Sequence, residues 1–172
     1  MKNQLVVQIG KFLMKYGNLR ICIIDDQKTY FSENMLRIAK AAGFSNIKRY
    51  FLVDKELMQQ LLRNPPDIVI LDIKGVADTA VAKDGFSVAK TLYDNTETFI
   101  VITSAHKFFL HESHKSYDYM IKERLLTALD FVDELSIIVD QYLKVKIRFY
   151  KKIIFKIGFS MLRKTITNGA SA

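Results

Sequence analysis

Cysteine is almost missing from this chain of 172 residues, in which Cys22 is the single example. Its place in an apolar run indicates burial, so a disulfide scaffold is excluded and a reducing compartment is expected. No apolar run approaches the roughly 18 uninterrupted residues that a membrane-spanning helix needs. A signal peptide is not expected either, because Gln8, Lys11 and Lys15 interrupt the first apolar stretch. These absences predict a cytoplasmic protein.

Acidic residues are missing from both ends of the chain. Residues 1–19 contain three lysines and no acid, and residues 141–172 contain eight basic residues and no acid. All 18 acids lie in residues 20–140, beside 15 basic residues, so the net charge of +8 combines a mildly acidic centre with two basic ends. We predict a basic amphipathic segment over 1–18, a central domain over 19–140, and a basic apolar tail over 141–172.

Short apolar runs alternate with segments of helical spacing in the central domain. The runs predict five strands, at residues 19–25, 46–53, 67–72, 98–103 and 117–121. Apolar residues three or four apart predict four helices, over residues 30–42, 54–62, 85–93 and from 123 onward, and Asp54 is expected to cap the second of them. Such alternation is typical of parallel sheets with right-handed crossovers. The predicted fold class is α/β, a five-stranded doubly wound parallel sheet of the flavodoxin-like kind.

Polar side chains follow four of these strands, at the sheet edge where ligands collect. Asp25 and Asp26 follow the first strand, Asp72 closes the third, Ser104 follows the fourth and Lys122 follows the fifth. Three crowded carboxylates repel one another, and Mg²⁺ relieves such repulsion with oxygen ligands. A carboxylate can attack a phosphoryl group to give an acyl phosphate, while an ammonium and a hydroxyl pair with its oxygens.

In this arrangement the chain resembles the receiver domain of two-component signalling, the CheY-like family, over about residues 19–140. Four segments occur in the family's order and close to its separations: the pair Asp25-Asp26, the run Asp67–Asp72, the turn Thr103-Ser104-Ala105 and the stretch Tyr119–Lys122. No single segment is specific, but their combination on the expected elements is. The implied fold is the receiver fold with helical N- and C-terminal extensions.

The resemblance implies a metal-binding role for four residues. Asp72 is the expected phosphoacceptor and a ligand of Mg²⁺. Asp26 is expected to bind the ion directly, and Asp25 through water. The backbone carbonyl of Lys74, two residues past the acceptor, completes the implied metal site.

The resemblance also implies the phosphoryl contacts and the partners. Lys122 is expected to contact the phosphoryl group, Ser104 to move toward it, and Tyr119 to change rotamer as the switch aromatic. A histidine kinase or a phosphotransfer protein is the implied donor. The chain would promote only its own phosphorylation and dephosphorylation, so we do not expect an enzyme acting on other substrates.

Three features depart from the family pattern. Glu123 stands where the family usually has proline after the lysine. The loop from Asp72 to Asp84, which we predict to be polar, is longer than usual. The segment between Ser104 and Lys122 is several residues short, so the family's fourth helix, between the fourth and fifth strands, should be small or absent.

Other interpretations remain open. Singly, the acid pair fits a turn, Lys122 a solvated side chain, and Tyr119 an edge strand. A pseudo-receiver, an interaction module that works without phosphorylation, would keep the fold alone. A phosphatase of the haloacid dehalogenase class needs a second aspartate where this chain has Lys74. His106, His111 and His114 lack partner ligands for zinc, so we interpret their segment as a solvated loop.

The tail shows two periodicities. Steps of four and three residues predict a helix with a coiled-coil seam: Leu143, Ile147, Tyr150, Ile154, Ile157 and Met161. Strict alternation over 143–149 instead fits a strand, and we favour the helix. A matching stripe near the N-terminus (Leu5, Ile9, Phe12 and Tyr16) predicts a helix that packs on the tail.

A basic apolar helix is typical of several kinds of interaction surface. It could bind an anionic membrane at its inner face, form a homodimer, or enter a groove of a partner protein. Its charge alone would also suit nucleic acid. About 30 residues leave no room for a helix-turn-helix, so we do not expect a DNA-binding output domain.

Overall fold

The computed structural model describes residues 16–103, 116–121 and 127–169, with the backbone alone over 149–169. A short 3-10 helix at Tyr16–Asn18 opens this part of the chain. The five strands are β1 (Ile21–Ile24), β2 (Ile47–Tyr50), β3 (Ile68–Asp72), β4 (Phe99–Thr103) and β5 (Tyr119–Ile121). The helices are α1 (Glu33–Ala41), α2 (Lys55–Arg63), α3 (Gly85–Asn95) and α4 (Ala128–Gly169).

The strands form one parallel sheet in the order β2-β1-β3-β4-β5. Every residue of β1 and β4 is buried, as expected for strands covered on both faces. The order reverses direction between β1 and β3, which makes that point of the sheet its topological switch point. The predicted five-stranded doubly wound sheet is therefore confirmed.

Successive residues along each strand contribute to two separate hydrophobic clusters, because side chains alternate between the faces of a sheet. On one face Ile23, Ile70 and Val101 pack against α1 and α4. On the other face Ile24 and Leu71 pack against α2 and α3, and Cys22 belongs to this second cluster. Burial raises the pKa of the Cys22 thiol to about 12, so it is a neutral, inert core group.

The helices begin at residues whose side chains accept a hydrogen bond from the first turn. Ser32, Asp54 and Asp84 accept from the N–H groups of the residues three positions later. At α4 the bonds are reciprocal: the Asp130 N–H donates to the Thr127 hydroxyl, and the Thr127 N–H donates to the Asp130 carboxylate. The Asp54 cap matches the prediction. The first helix is shorter than the predicted 30–42, since Ser32 caps it.

Tertiary contacts changed two other predicted elements. The predicted strand over 46–53 ends at Tyr50, and Val53 forms an isolated parallel bridge with Ala77 instead. The predicted polar loop after Asp72 contains two buried apolar residues, Ile73 and Val76. These residues close the edge of the second cluster, so the long loop is partly core.

The last helix is a single element of 42 residues that passes residue 140 without a break. The helical alternative for the tail is therefore the observed one. Phe131, Leu135 and Ile138 are fully buried against the sheet, and burial continues to Leu143. Among the described residues, no helix combines the length and apolar content needed to cross a membrane.

Of the N-terminal stripe, the structure describes Tyr16 alone, and its ring packs on Phe44. Leu5, Ile9 and Phe12 lie outside the described residues, as do residues 104–115 between β4 and β5.

Candidate functional site

The three candidate acids meet at the carboxyl edge of the sheet. Asp25 and Asp26 directly follow β1, and Asp72 is the last residue of the neighbouring strand β3. One carboxylate oxygen from each lies within 4.8 Å of the others. The acids meet because β1 and β3 are parallel: Ile24 and Leu71 lie opposite one another, and both strands then end at the same edge of the sheet.

The three carboxylates differ in their exposure to water. Asp25 is 3% exposed, Asp72 is half-buried and Asp26 is exposed. Burial raises the pKa of Asp25 to about 6, against a hydrogen bond of 2.7 Å from the Gln27 N–H that lowers it. The charges of Asp72 and Asp26 raise this pKa further, and Arg49 lowers it. The site therefore concentrates negative charge that a cation would stabilise.

The backbone around Asp72 is closely packed. The Ile73 N–H donates to Asp72 Oδ1 at 2.7 Å, and the Gly85 N–H donates to the Ile73 carbonyl at 2.8 Å. A Cβ at Gly85 would lie 2.1 Å from the Asp72 carbonyl oxygen. Only glycine fits there, so the start of α3 fixes the backbone that carries the candidate acceptor.

A second glycine brings the loop after β3 onto the acid pair. Gly75 has φ +70°, and a Cβ there would lie 2.2 Å from Asp26 Oδ2. The loop backbone next to Lys74, whose carbonyl is the expected fourth ligand, therefore passes against Asp26. Three carboxylates and a backbone carbonyl form an all-oxygen set, which fits a hard divalent cation such as Mg²⁺.

The rest of this loop is fixed to the segment that follows β2. The Val53 N–H donates to the Val76 carbonyl at 2.6 Å, and the Asp78 N–H donates to the Val53 carbonyl at 3.0 Å. These bonds, together with the buried side chain of Val76, hold one wall of the site. The long loop is thus a structured part of the candidate site.

Tyr119 lies on the edge strand β5, half-buried against the first cluster. Burial raises the pKa of Tyr119, and so does the neighbouring Glu134 carboxylate. The Tyr119 hydroxyl therefore lies close to a residue of α4. This contact joins the predicted switch residue to the C-terminal helix.

Ser104, Lys122 and Glu123 lie outside the described residues, so their predicted positions stay predictions. Their strands end at the same edge as the acids. Thr103 is paired with Asp72 on one side and with Ile121 on the other.

Sequence reasoning missed four residues that shape this site. Gly75 and Gly85 could have been suspected, because each lies in or at the end of a loop that follows a strand-end acid. Arg49 and Glu134 carry no such signal. They reach the site region through tertiary contacts alone.

Comparisons with known proteins give matches at the level of structure. No protein-family model matches the sequence, and no curated protein matches it either. A CheY-like response regulator receiver domain from Methylobacillus flagellatus is 18% identical with a TM-score of 0.53, covering 70% of this chain and 98% of that one. The receiver domain of NtrX from Brucella abortus is 20% identical with a TM-score of 0.53, covering 72% and 98%.

RcsB from Salmonella enterica serovar Typhimurium, bound to promoter rprA in the presence of the phosphomimetic BeF3⁻, is a further match. It is 16% identical with a TM-score of 0.52, and the match covers 68% of this chain and 66% of that one. The chain therefore has the fold of response regulator receiver domains, as the resemblance predicted.

Proposed function

We propose that this chain is a receiver domain of two-component or phosphorelay signal transduction that accepts a phosphoryl group on Asp72. One observation carries the proposal: three carboxylates from two strand ends converge within 4.8 Å at the edge of a receiver-like sheet. Asp72 is half-buried, so its carboxylate is reachable, while its backbone is fixed by Ile73 and Gly85.

The chemical step is a transfer between a small or protein-bound donor and the Asp72 carboxylate. A carboxylate oxygen attacks the phosphorus, and the P–N bond of a phosphohistidine or the P–O bond of acetyl phosphate breaks. The bonding electron pair leaves with the donor, and an acyl phosphate forms on Asp72. The chain's own chemistry ends there and at the hydrolysis of that acyl phosphate, in which water takes the phosphoryl group as inorganic phosphate and the Asp72 carboxylate is regenerated, so the chain is not proposed to act on other substrates.

Asp25, Asp26 and Asp72 are the side chains that would hold Mg²⁺, with the Lys74 carbonyl as a fourth ligand. The bound ion supplies positive charge that offsets the carboxylates and the incoming phosphoryl oxygens. The close approach of Gly75 to Asp26 supports this assignment, since it brings the loop backbone to the acids. Lys122 and Ser104 are proposed to contact the phosphoryl group from the ends of β5 and β4.

The proposed output runs through α4. The Tyr119 side chain lies close to the Glu134 carboxylate, and the helix that carries Glu134 continues unbroken into the tail. A rotamer change of Tyr119 would break this contact, which gives phosphorylation a route to the tail. The donor is proposed to be a histidine kinase or a phosphotransfer protein. The proposed location is the cytoplasm, at or near the inner face of the membrane. The free, buried thiol of Cys22 fits a reducing compartment of this kind.

Incubation with acetyl phosphate followed by intact-protein mass spectrometry tests the proposal. We expect one added phosphoryl group in Mg²⁺ and none in EDTA. Asp72→Asn should remain unlabelled, whereas Asp94→Asn, the same change at an exposed position of α3, should label like the wild type.

Equal labelling of Asp72→Asn and wild type would refute the assignment of the acceptor. A folded wild type that gains no phosphoryl group would favour the alternative of a pseudo-receiver interaction module. BeF3⁻, present with the RcsB neighbour, offers a second probe that forms no covalent acyl phosphate.

A further inference from the structure

The C-terminal helix changes character along its length. Up to Leu143 it is a core element, with Phe131, Leu135 and Leu143 buried against the sheet. Beyond that point Val145 is 47% exposed, and the last described contact with the domain is the ion pair between Lys146 and Glu97, at 3.0 Å. The backbone stays helical from there to Gly169.

Charge along this distal half has one sign. Residues 141–169 contain eight basic residues and no acid, beside fourteen large apolar residues. The helical backbone assigns these positions to faces, at 3.6 residues for each turn. The six seam positions from Leu143 to Met161 fall within about a quarter of the circumference.

Most of the basic positions lie on the other side of the helix. Six of the eight fall in an arc of about 140° opposite the seam: Lys144, Arg148, Lys151, Lys152, Lys156 and Arg163. Apolar residues also occur within that arc, at Phe155, Phe159 and Leu162. The apolar positions are therefore spread more widely than one coiled-coil seam.

We infer that the distal half of α4, residues 144–169, binds the surface of an anionic lipid bilayer. This rests on the proposed function in one respect, namely that the tail is the output element. An anionic bilayer offers both negative charge for the eight basic residues and an apolar layer for the seam and its neighbours.

Other occupants match less of the pattern. A second copy of the chain would bring twice eight basic residues into one helix pair with no acid to pair them. Nucleic acid supplies negative charge but little apolar surface to cover the seam.

Co-sedimentation of the full chain with lipid vesicles tests the inference. The probes are vesicles of phosphatidylglycerol mixed with phosphatidylcholine, and vesicles of phosphatidylcholine alone. We expect binding to the anionic vesicles at low salt, much weaker binding to the neutral ones, and loss of binding as salt rises.

A charge-matched pair of variants locates the binding surface. The triple variant Lys151→Gln, Lys152→Gln and Lys156→Gln should weaken binding to anionic vesicles about 100-fold, at about fivefold for each basic residue. The control Lys40→Gln, Lys55→Gln and Lys83→Gln removes the same charge from exposed positions of the domain and should bind like the wild type. Equal loss in both variants, or equal wild-type binding to neutral and anionic vesicles, would overturn the inference.

Two parallel measurements separate the alternatives. A solution mass that doubles with concentration, combined with no vesicle binding, would assign the tail to a second copy and overturn the inference. Acetyl phosphate labelling on the same preparations separates it from the proposed function. Labelling without vesicle binding refutes only the membrane contact, whereas binding without labelling refutes only the phosphoacceptor.

Discussion

The acidic edge of the sheet and the basic half of α4 acquire their charge in opposite ways. Asp26 and Asp72 are 46 residues apart in the chain and are brought together by strand pairing, whereas the basic residues of the tail lie within residues 144–164 of one helix. Folding brings the acidic residues together, whereas the basic residues of the tail are already close to one another in the sequence. The acid site should therefore lose Mg²⁺ binding all at once when the fold is disturbed. The tail should lose affinity for anionic vesicles gradually as charges are removed.

The two halves of α4 offer the largest expected contrast. Leu135 is fully buried, so Leu135→Ala should lower the free energy of unfolding by about 3 kcal/mol through lost contacts and a cavity. Val145→Ala, at a position 47% exposed, should change it by less than about 0.5 kcal/mol. Urea unfolding followed by circular dichroism measures both. Equal losses would show that the two halves of the helix are anchored alike.

Two glycines with positive φ sharpen the comparison at the acid site. Gly75→Ala should cost about 1 to 2 kcal/mol in backbone strain, and its Cβ should push the Asp26 carboxylate out of place. It should also abolish stabilisation by Mg²⁺. Gly43→Ala is the matched control, since its φ is +109° but its Cβ would meet only the Tyr16 ring at 3.8 Å. It should cost about 2 kcal/mol, because φ +109° lies outside the left-handed region open to alanine, but it should keep the Mg²⁺ effect. Thermal melts with and without Mg²⁺ distinguish the two variants.

The charge crowding itself predicts a smaller effect. Mg²⁺ at ten times its Kd should stabilise the wild type by about 1.4 kcal/mol, because the folded state alone gathers the three carboxylates. Asp26→Ala should lose this gain, and Asp94→Ala, on an exposed helix face, should retain it. Calorimetric melts at increasing Mg²⁺ provide the measurement. An undiminished rise in Tm for Asp26→Ala would place the cation elsewhere.

The ion pair between Lys146 and Glu97 should contribute least. Glu97 is 74% exposed at its side chain, so Glu97→Gln should cost less than about 0.5 kcal/mol and even less at high salt. The exposed pair Lys90–Asp94 on α3 is the reference, tested by Asp94→Asn. A loss above about 1.5 kcal/mol that persists in high salt would mean that this pair anchors the middle of α4.

The fold was largely predictable because each element depends on local pattern. Short apolar runs predicted all five strands, two of them ending on acids, and Asp54 was recognised as a helix cap. The predicted boundaries were less accurate where a contact distant in sequence decides them. β2 ends at Tyr50, because the backbone of Val53 is hydrogen-bonded to Val76 and Asp78 of the loop after β3. The burial of Ile73 and Val76 in a loop that looked polar has the same cause.

By itself the sequence determined the alternation of strands and helices, the strand-end positions of Asp25, Asp26 and Asp72, and the one-signed charge of the tail. All of these follow from residue type and spacing along the chain. Only the tertiary structure decided that the loop backbone at Gly75 approaches Asp26, that the charge of Arg49 lowers the pKa of Asp25, and that Glu134 lies close to Tyr119. It also decided between helix and strand for the tail. The physical reason is that these contacts join residues far apart in sequence, and packing rather than local preference determines which of them form.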